Sequence, residues 1–158
     1  MNTKSSKEKR NVTELSAFSP EHQALIVKLM IEDDEFKFKA MDLIDVNSLN
    51  ADECIRRIAS IAKELYSKGA VYTYNTIKIY IDSKVTDEYT REKCLAYLDQ
   101  YIENVNVSPV DLNYLKDRVY PITIHFKRIK QKGWDNYPHL IQKPPRTSNN
   151  ALYEASVS

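Results

Sequence analysis

The side chains able to carry chemistry are few and scattered along the chain. Cys94 and His125 could serve as nucleophile and base, but nothing local supplies an activated turn or an orienting third group. Asp33, Asp34 and Glu35 could be drawn as metal ligands or an acid pair. Three such carboxylates at a helix start are favoured by its positive end without any ligand, and that is the reading adopted. His22, His125 and His139 lack the spacing of a zinc site, and Cys54 and Cys94 form no C-x-x-C pair. Gly69 and Gly133 are the only glycines and no G-K-[ST] triplet occurs, which excludes Gly-rich phosphate loops and dinucleotide fingerprints. The residues therefore predict a non-catalytic protein with no metal and no cofactor.

Two groups of residues suit binding instead. Lys127, Arg128, Lys130 and Lys132, followed by Trp134 and Tyr137, combine phosphate-neutralising charge with rings on which bases can stack. The competing reading is a solvated basic helix face with a tryptophan that anchors the arm. Eleven tyrosines, among them Tyr97 and Tyr101, suit protein interfaces as well as helix packing. Charge is uneven: residues 19–107 hold 11 basic and 16 acidic side chains, whereas residues 116–146 hold 8 basic and 2 acidic. The body is acidic and the arm basic.

With 158 residues, 42% hydrophobic and 28% charged, the chain predicts one soluble globular domain and no membrane span. Cysteines placed in helical segments predict free thiols in a reducing compartment, and the opening MNTKSSKEKRN has no apolar run behind it; together these predict a cytoplasmic protein.

The elements that would position these residues follow from caps and periodicity. Ser19 and Pro20 start a first helix, about Pro20 to Glu32, with the stripe Leu25, Ile26, Leu29, Met30. A short second helix carries Phe36, Ala40, Met41 and Ile44. Asn50 with Glu53 resembles a capping box for a long third helix that ends at Gly69. Thr73 caps a fourth, in which the β-branched run TIKIYI competes as a strand; Asp87 or Thr90 begins a fifth, and Ser108–Pro109 a sixth bearing Leu112, Leu115 and Val119. Pro121 is expected to kink or stop the sixth helix. Beyond it, Ile122, Ile124 and Phe126 alternate like a strand while Ile122, Phe126 and Ile129 fit a helix, and from Gly133 the sequence predicts an irregular arm. The expected architecture is all-α: a compact bundle of about six helices over residues 19–120, a flexible polar segment 1–18, a basic arm 121–146 and a disordered tail 147–158. No internal repeat is visible.

The run from Phe18 to about Val119 resembles the N-terminal, or collar, domain of DnaB-like replicative helicases of the phage type. The opening FSPEHQALIVKLMIEDDEF is similar to that domain's first helix, with Glu21, Gln23, Leu25, Ile26, Leu29, Met30, Asp33 or Asp34, and Phe36 at the corresponding places. DLIDVNSLNADECIRRIASIAKELYSKGAVYTYNTIKIYI follows the family's order of short helix, loop, long helix, glycine turn and threonine-capped helix; Leu49 stands where an aromatic is common. The resemblance implies a helical bundle followed by a hairpin that pairs subunits into dimers or a hexamer, and a collar that receives a replicative helicase, a primase or a loader protein. Tyr97, Tyr101, Leu112, Leu115 and Val119 would form that interface, and Pro121 falls where the family's long helix continues. The motor domain has no counterpart here, so the implied role is an interaction or oligomerisation domain in DNA replication. A primase C-terminal domain has a similar helical fold. The alternatives are a small nucleic-acid-binding protein that uses Lys127, Arg128, Lys130, Lys132 and Trp134, or a phage or mobile-element protein that modulates a host helicase.

Overall fold

The helix at the centre of the molecule is built to be surrounded. In the computed structural model, which describes residues 14–135 and side chains as far as residue 124, α1 (Pro20–Glu32) buries eight of its residues, from Gln23 to Ile31. Burial around most of its circumference marks a core helix rather than an amphipathic surface one. Its start is local chemistry: the Ser19 hydroxyl accepts from the His22 amide at 3.2 Å, and Pro20 occupies the first helical position, where its missing amide costs nothing.

α2 (Asp34–Ala40) begins at Asp33, whose carboxylate accepts from the Phe36 amide at 2.8 Å. Short 3₁₀ turns at Met41–Leu43 and Val46–Ser48 lead to α3 (Glu53–Ser67). Phe36, Ala40, Met41, Ile44 and Leu49 are all fully buried. The cap of α3 is Asp52 rather than Asn50; its carboxylate accepts from the Cys54 amide at 2.7 Å. The shift has a tertiary cause, because the buried Gln23 side chain of α1 accepts from the Ala51 amide at 3.0 Å and holds this stretch ahead of the helix. α3 ends where Gly69 takes φ +74°, with the Ala70 amide donating to Leu65 and that of Gly69 to Tyr66. That pattern needs a left-handed residue, which glycine supplies without a Cβ penalty.

α4 (Tyr74–Lys84) settles the ambiguity of TIKIYI in favour of helix. Thr73 and Thr76 form a reciprocal capping box, and Ile77 and Ile81, four residues apart, face the core while Ile79 is exposed. α5 (Glu88–Tyr97) is capped by Asp87, which accepts from both the amide and the hydroxyl of Thr90. It passes without a break into a π-helical segment, Leu98–Glu103, whose Leu98 and Ile102 are fully buried. α6 (Pro109–Asp135) starts at Ser108, whose hydroxyl accepts from the Asp111 amide at 3.1 Å.

Of the two outcomes expected at Pro121, a kink or a stop, α6 excludes the stop. The proline lies inside the helix and does not stop it, and residues 133–135 continue the helix instead of opening an irregular arm. The lost bond to the Asp117 carbonyl falls on the outer face, where Asp117 and Pro121 are both exposed and water can replace it. Buried Leu115, Lys116 and Val119 before the proline, and Ile122 and Thr123 after it, hold the helix on both sides. Of the segment 1–18 expected to be flexible, residues 14–18 instead form a 3₁₀ turn, Leu15–Ala17, with Leu15 and Phe18 buried in the core; residues 1–13 and 136–158, and with them the rest of the expected arm and tail, lie outside the described residues. The chain divides into two units after Thr123. The fold is thus an all-α bundle of six α-helices among the described residues, none long and apolar enough to cross a membrane.

Candidate interaction groove

The π-helical segment is the least ordinary piece of backbone, and α1 holds it in place. The Lys28 amine reaches from the middle of α1 and donates at 3.0 Å to each of three acceptors: the Ile102 carbonyl, the Glu103 carbonyl and the Glu32 carboxylate. The two carbonyls are the helix-end acceptors that otherwise lack partners. Glu32 also accepts from the Tyr74 hydroxyl at 2.6 Å, and burial first, then Glu32, raises that phenol well above its usual range. Lys78 pairs with Glu103 at 2.7 Å, so α1, α4 and the π segment share one polar network.

This arrangement sets two tyrosines side by side. Tyr97, at the end of α5, and Tyr101, in the π segment, have ring centroids 4.8 Å apart at 43°. Burial, with Asp52 close by, pushes the Tyr97 hydroxyl up to about 12, and Tyr101 is half exposed. The two rings line a groove of about 480 Å³ together with Pro20, His22 and Leu25 of α1 and Val105 and Val107 of the segment before α6. A second hollow of about 230 Å³ shares His22, Leu25 and Val107 with the first and extends it to Tyr114 and Arg118 of α6. Arg118 lies over the Phe18 ring at 5.3 Å, and Phe18 meets His22 edge to face. Val110 and Tyr114, one turn apart on α6 and both largely exposed, add apolar surface beside it. The result is two adjoining, mostly apolar hollows that share lining residues and carry Tyr97, Tyr101 and Tyr114.

The structure separates the residues expected at an interface. Tyr97 and Tyr101 line the groove, and Leu112 is half-buried against the core. Leu115 is largely buried but lines the second hollow, whereas Val119 is fully buried in the core, because α6 packs inward along that stripe. The sequence does not place Pro20, His22, Val105, Val107 or Tyr114 at an interface; the pairing of a helix N-terminus with a distant loop leaves no periodic signal. Lys127, Arg128, Lys130, Lys132 and Trp134 lie on the α6 backbone, and their side chains are outside those described, as is that of His125. At about 3.6 residues per turn, positions 127, 130 and 134 share one helix face and 128 and 132 a neighbouring one.

The acidic run has a partner of its own. Lys116 of α6 donates to Glu35 at 2.7 Å and to Asp33 at 3.0 Å, fastening α6 to the start of α2. Hydrogen bonds from Lys116 and then Lys39 hold the Glu35 carboxyl down at about 2, against an ordinary 4.5. The folded state therefore binds this proton less readily than the unfolded chain. The stabilisation is complete above about pH 4.5 and is lost as pH falls towards 2. Thermal melts of the wild type and Glu35→Gln between pH 2 and 6 should differ most near pH 6 and converge at the acid end.

Among the described residues, no cluster of three or more His, Cys, Asp or Glu side chains could hold a metal ion. Cys94 is buried against Cys54, with the sulfurs 3.5 Å apart, and burial together with Cys94 raises the Cys54 thiol far above its usual range. No family model, no curated protein sequence and no solved structure matches the chain.

Proposed function

We propose that this chain is a non-catalytic protein-interaction and oligomerisation domain of the DnaB-collar type, acting in DNA replication through contacts with itself and with a replicative helicase, primase or loader protein. The observation that supports this reading is the groove: two adjoining hollows that carry Tyr97, Tyr101 and Tyr114, with Val110 exposed beside them. Tyrosines with an apolar body and a wet hydroxyl are favoured anchors at protein interfaces. The helix order, with a short α2, a long α3, the Gly69 turn and a Thr73-capped α4, agrees with the resemblance read from the sequence. No catalytic constellation is needed for such a role, and none is invoked.

A direct test titrates purified replicative helicase, primase and loader proteins into the chain and follows the groove residues by NMR. Tyr101→Ala should weaken the complex more than tenfold, as loss of an aromatic anchor does. Shifts confined to residues 127–134, on addition of DNA and steeply weakened by salt, would instead favour a nucleic-acid role for the basic end of α6. That second reading draws on the continuous helix, which gives Lys127, Lys130 and Trp134 a common face.

A further inference from the structure

The buried sulfurs of Cys54 and Cys94 sit 3.5 Å apart, on α3 and α5, with no bond between them. We infer that this pair is an oxidisable dithiol, and that a peroxide converts it into an intramolecular disulfide that fastens α5 to α3. Three features of the fold carry the inference. The sulfurs need to close by only roughly 1.5 Å to reach bonding distance. They belong to two different helices, so the bond would cross-link tertiary structure. And α5 is thinly anchored: Cys94 is its only buried residue, while Leu95 and Tyr97 pack partly against the core.

The last feature supplies a route for the oxidant. A helix with so little buried apolar surface opens locally at low cost, well below global unfolding. Opening of α5 exposes Cys94, whose thiolate attacks one peroxide oxygen. A sulfur–oxygen bond forms, the oxygen–oxygen bond breaks, and the departing hydroxide takes up the thiol proton as water. As α5 returns, the Cys54 sulfur, uncovered by the same opening, attacks the sulfenic sulfur before burial is complete. The disulfide forms, the sulfur–oxygen bond breaks, and a second water leaves. Two thiols lose two electrons and two protons to one peroxide, and no other reactant is required. In the closed state burial raises the Cys54 thiol and shuts both sulfurs off from the oxidant, so the reaction rate follows the opening of α5.

The bond would close a loop of about 40 residues and should raise Tm on the order of 10 °C. The inference is independent of what occupies the groove, although Tyr97 sits three residues beyond Cys94 on the same helix. The test treats the whole native chain with hydrogen peroxide, blocks remaining thiols, and reads intact mass, non-reduced peptide maps and Tm. The expected product is a single chain two hydrogens lighter by intact mass, with Cys54 and Cys94 in one linked peptide, a raised Tm, and full reversal by dithiothreitol. Cys94→Ala, which removes one sulfur, should give no such product. Sulfinic acid on either cysteine without a cross-link, a disulfide between two chains, or thiols that react only once urea has unfolded the chain would each overturn the inference.

Discussion

Phe36→Ala is expected to destabilise the fold by about 4 kcal/mol, the largest effect of any single truncation considered. Phe36 is fully buried on α2, and its ring lies 5.8 Å from that of Tyr120 on α6. Removing it empties a volume bounded by two helices whose positions are also set by the Lys116 ion pairs, so neither can close the space freely. The cost is thus the lost transfer of the ring plus a cavity that does not collapse. Phe38 provides the internal control. It lies two residues further along the same short helix but is 84% exposed, and Phe38→Ala should change stability by under about 0.5 kcal/mol. Urea unfolding of the two variants distinguishes packing from any effect of α2 propensity, which they share.

Lys28→Met is expected to destabilise by about 3 kcal/mol, although it puts an apolar side chain of similar length into a largely buried position. The loss comes from the partners rather than from the lysine. Without the amine, the carbonyls of Ile102 and Glu103 end the π segment unpaired, and Glu32 keeps only the Tyr74 hydroxyl. A buried acceptor left without a donor suffers its full desolvation penalty, whereas an exposed i,i+4 pair such as Lys68 with Glu64 can be removed with little consequence. The variant should also show faster amide exchange across residues 98–104 than elsewhere, because Lys28 is what ties that segment to α1. Unchanged exchange there would mean that Leu98 and Ile102 hold the π turn by packing alone.

Much of the fold could be read directly from local signals. Ser19 with Pro20, Thr73, Asp87 and Ser108 with Pro109 each mark a helix start through a hydroxyl or carboxylate placed to accept a free amide, and each does so in the structure. The features that escaped are those decided by residues far away in sequence. Asp52 replaces Asn50 as the cap of α3 because Gln23 holds Ala51 from another helix. The π segment depends on Lys28, more than seventy residues earlier. Pro121 stays within α6 because Lys116, Val119 and Ile122 dock on both sides of it while the proline itself faces solvent. The sequence predicts Cys54 and Cys94 only as free thiols in separate helical segments; both are free and buried, but their contact is made only by packing α3 against α5.

The candidate site divides along the same line. Tyr97 and Tyr101 stand out in the sequence as tyrosines suited to an interface, and they stand together at the groove. Leu115 and Val119 share their helix with exposed Val110 and Tyr114, and the sequence offers no means of choosing which stripe of α6 faces inward. Charge near the groove is mixed, with Glu21 and Asp111 against Arg118, so an apolar, aromatic-rich partner surface fits it better than a strongly charged one.

The central claim, that the chain works by association through the aromatic groove, is tested most directly by its absolute mass in solution. Light scattering across a concentration series should give a mass above the 18.4 kDa of one chain, rising towards a dimer or hexamer, and Tyr101→Glu should return it to a single chain without lowering Tm. A wild-type mass fixed at 18.4 kDa up to the highest concentration, or an assembly indifferent to Tyr101→Glu, would contradict the account.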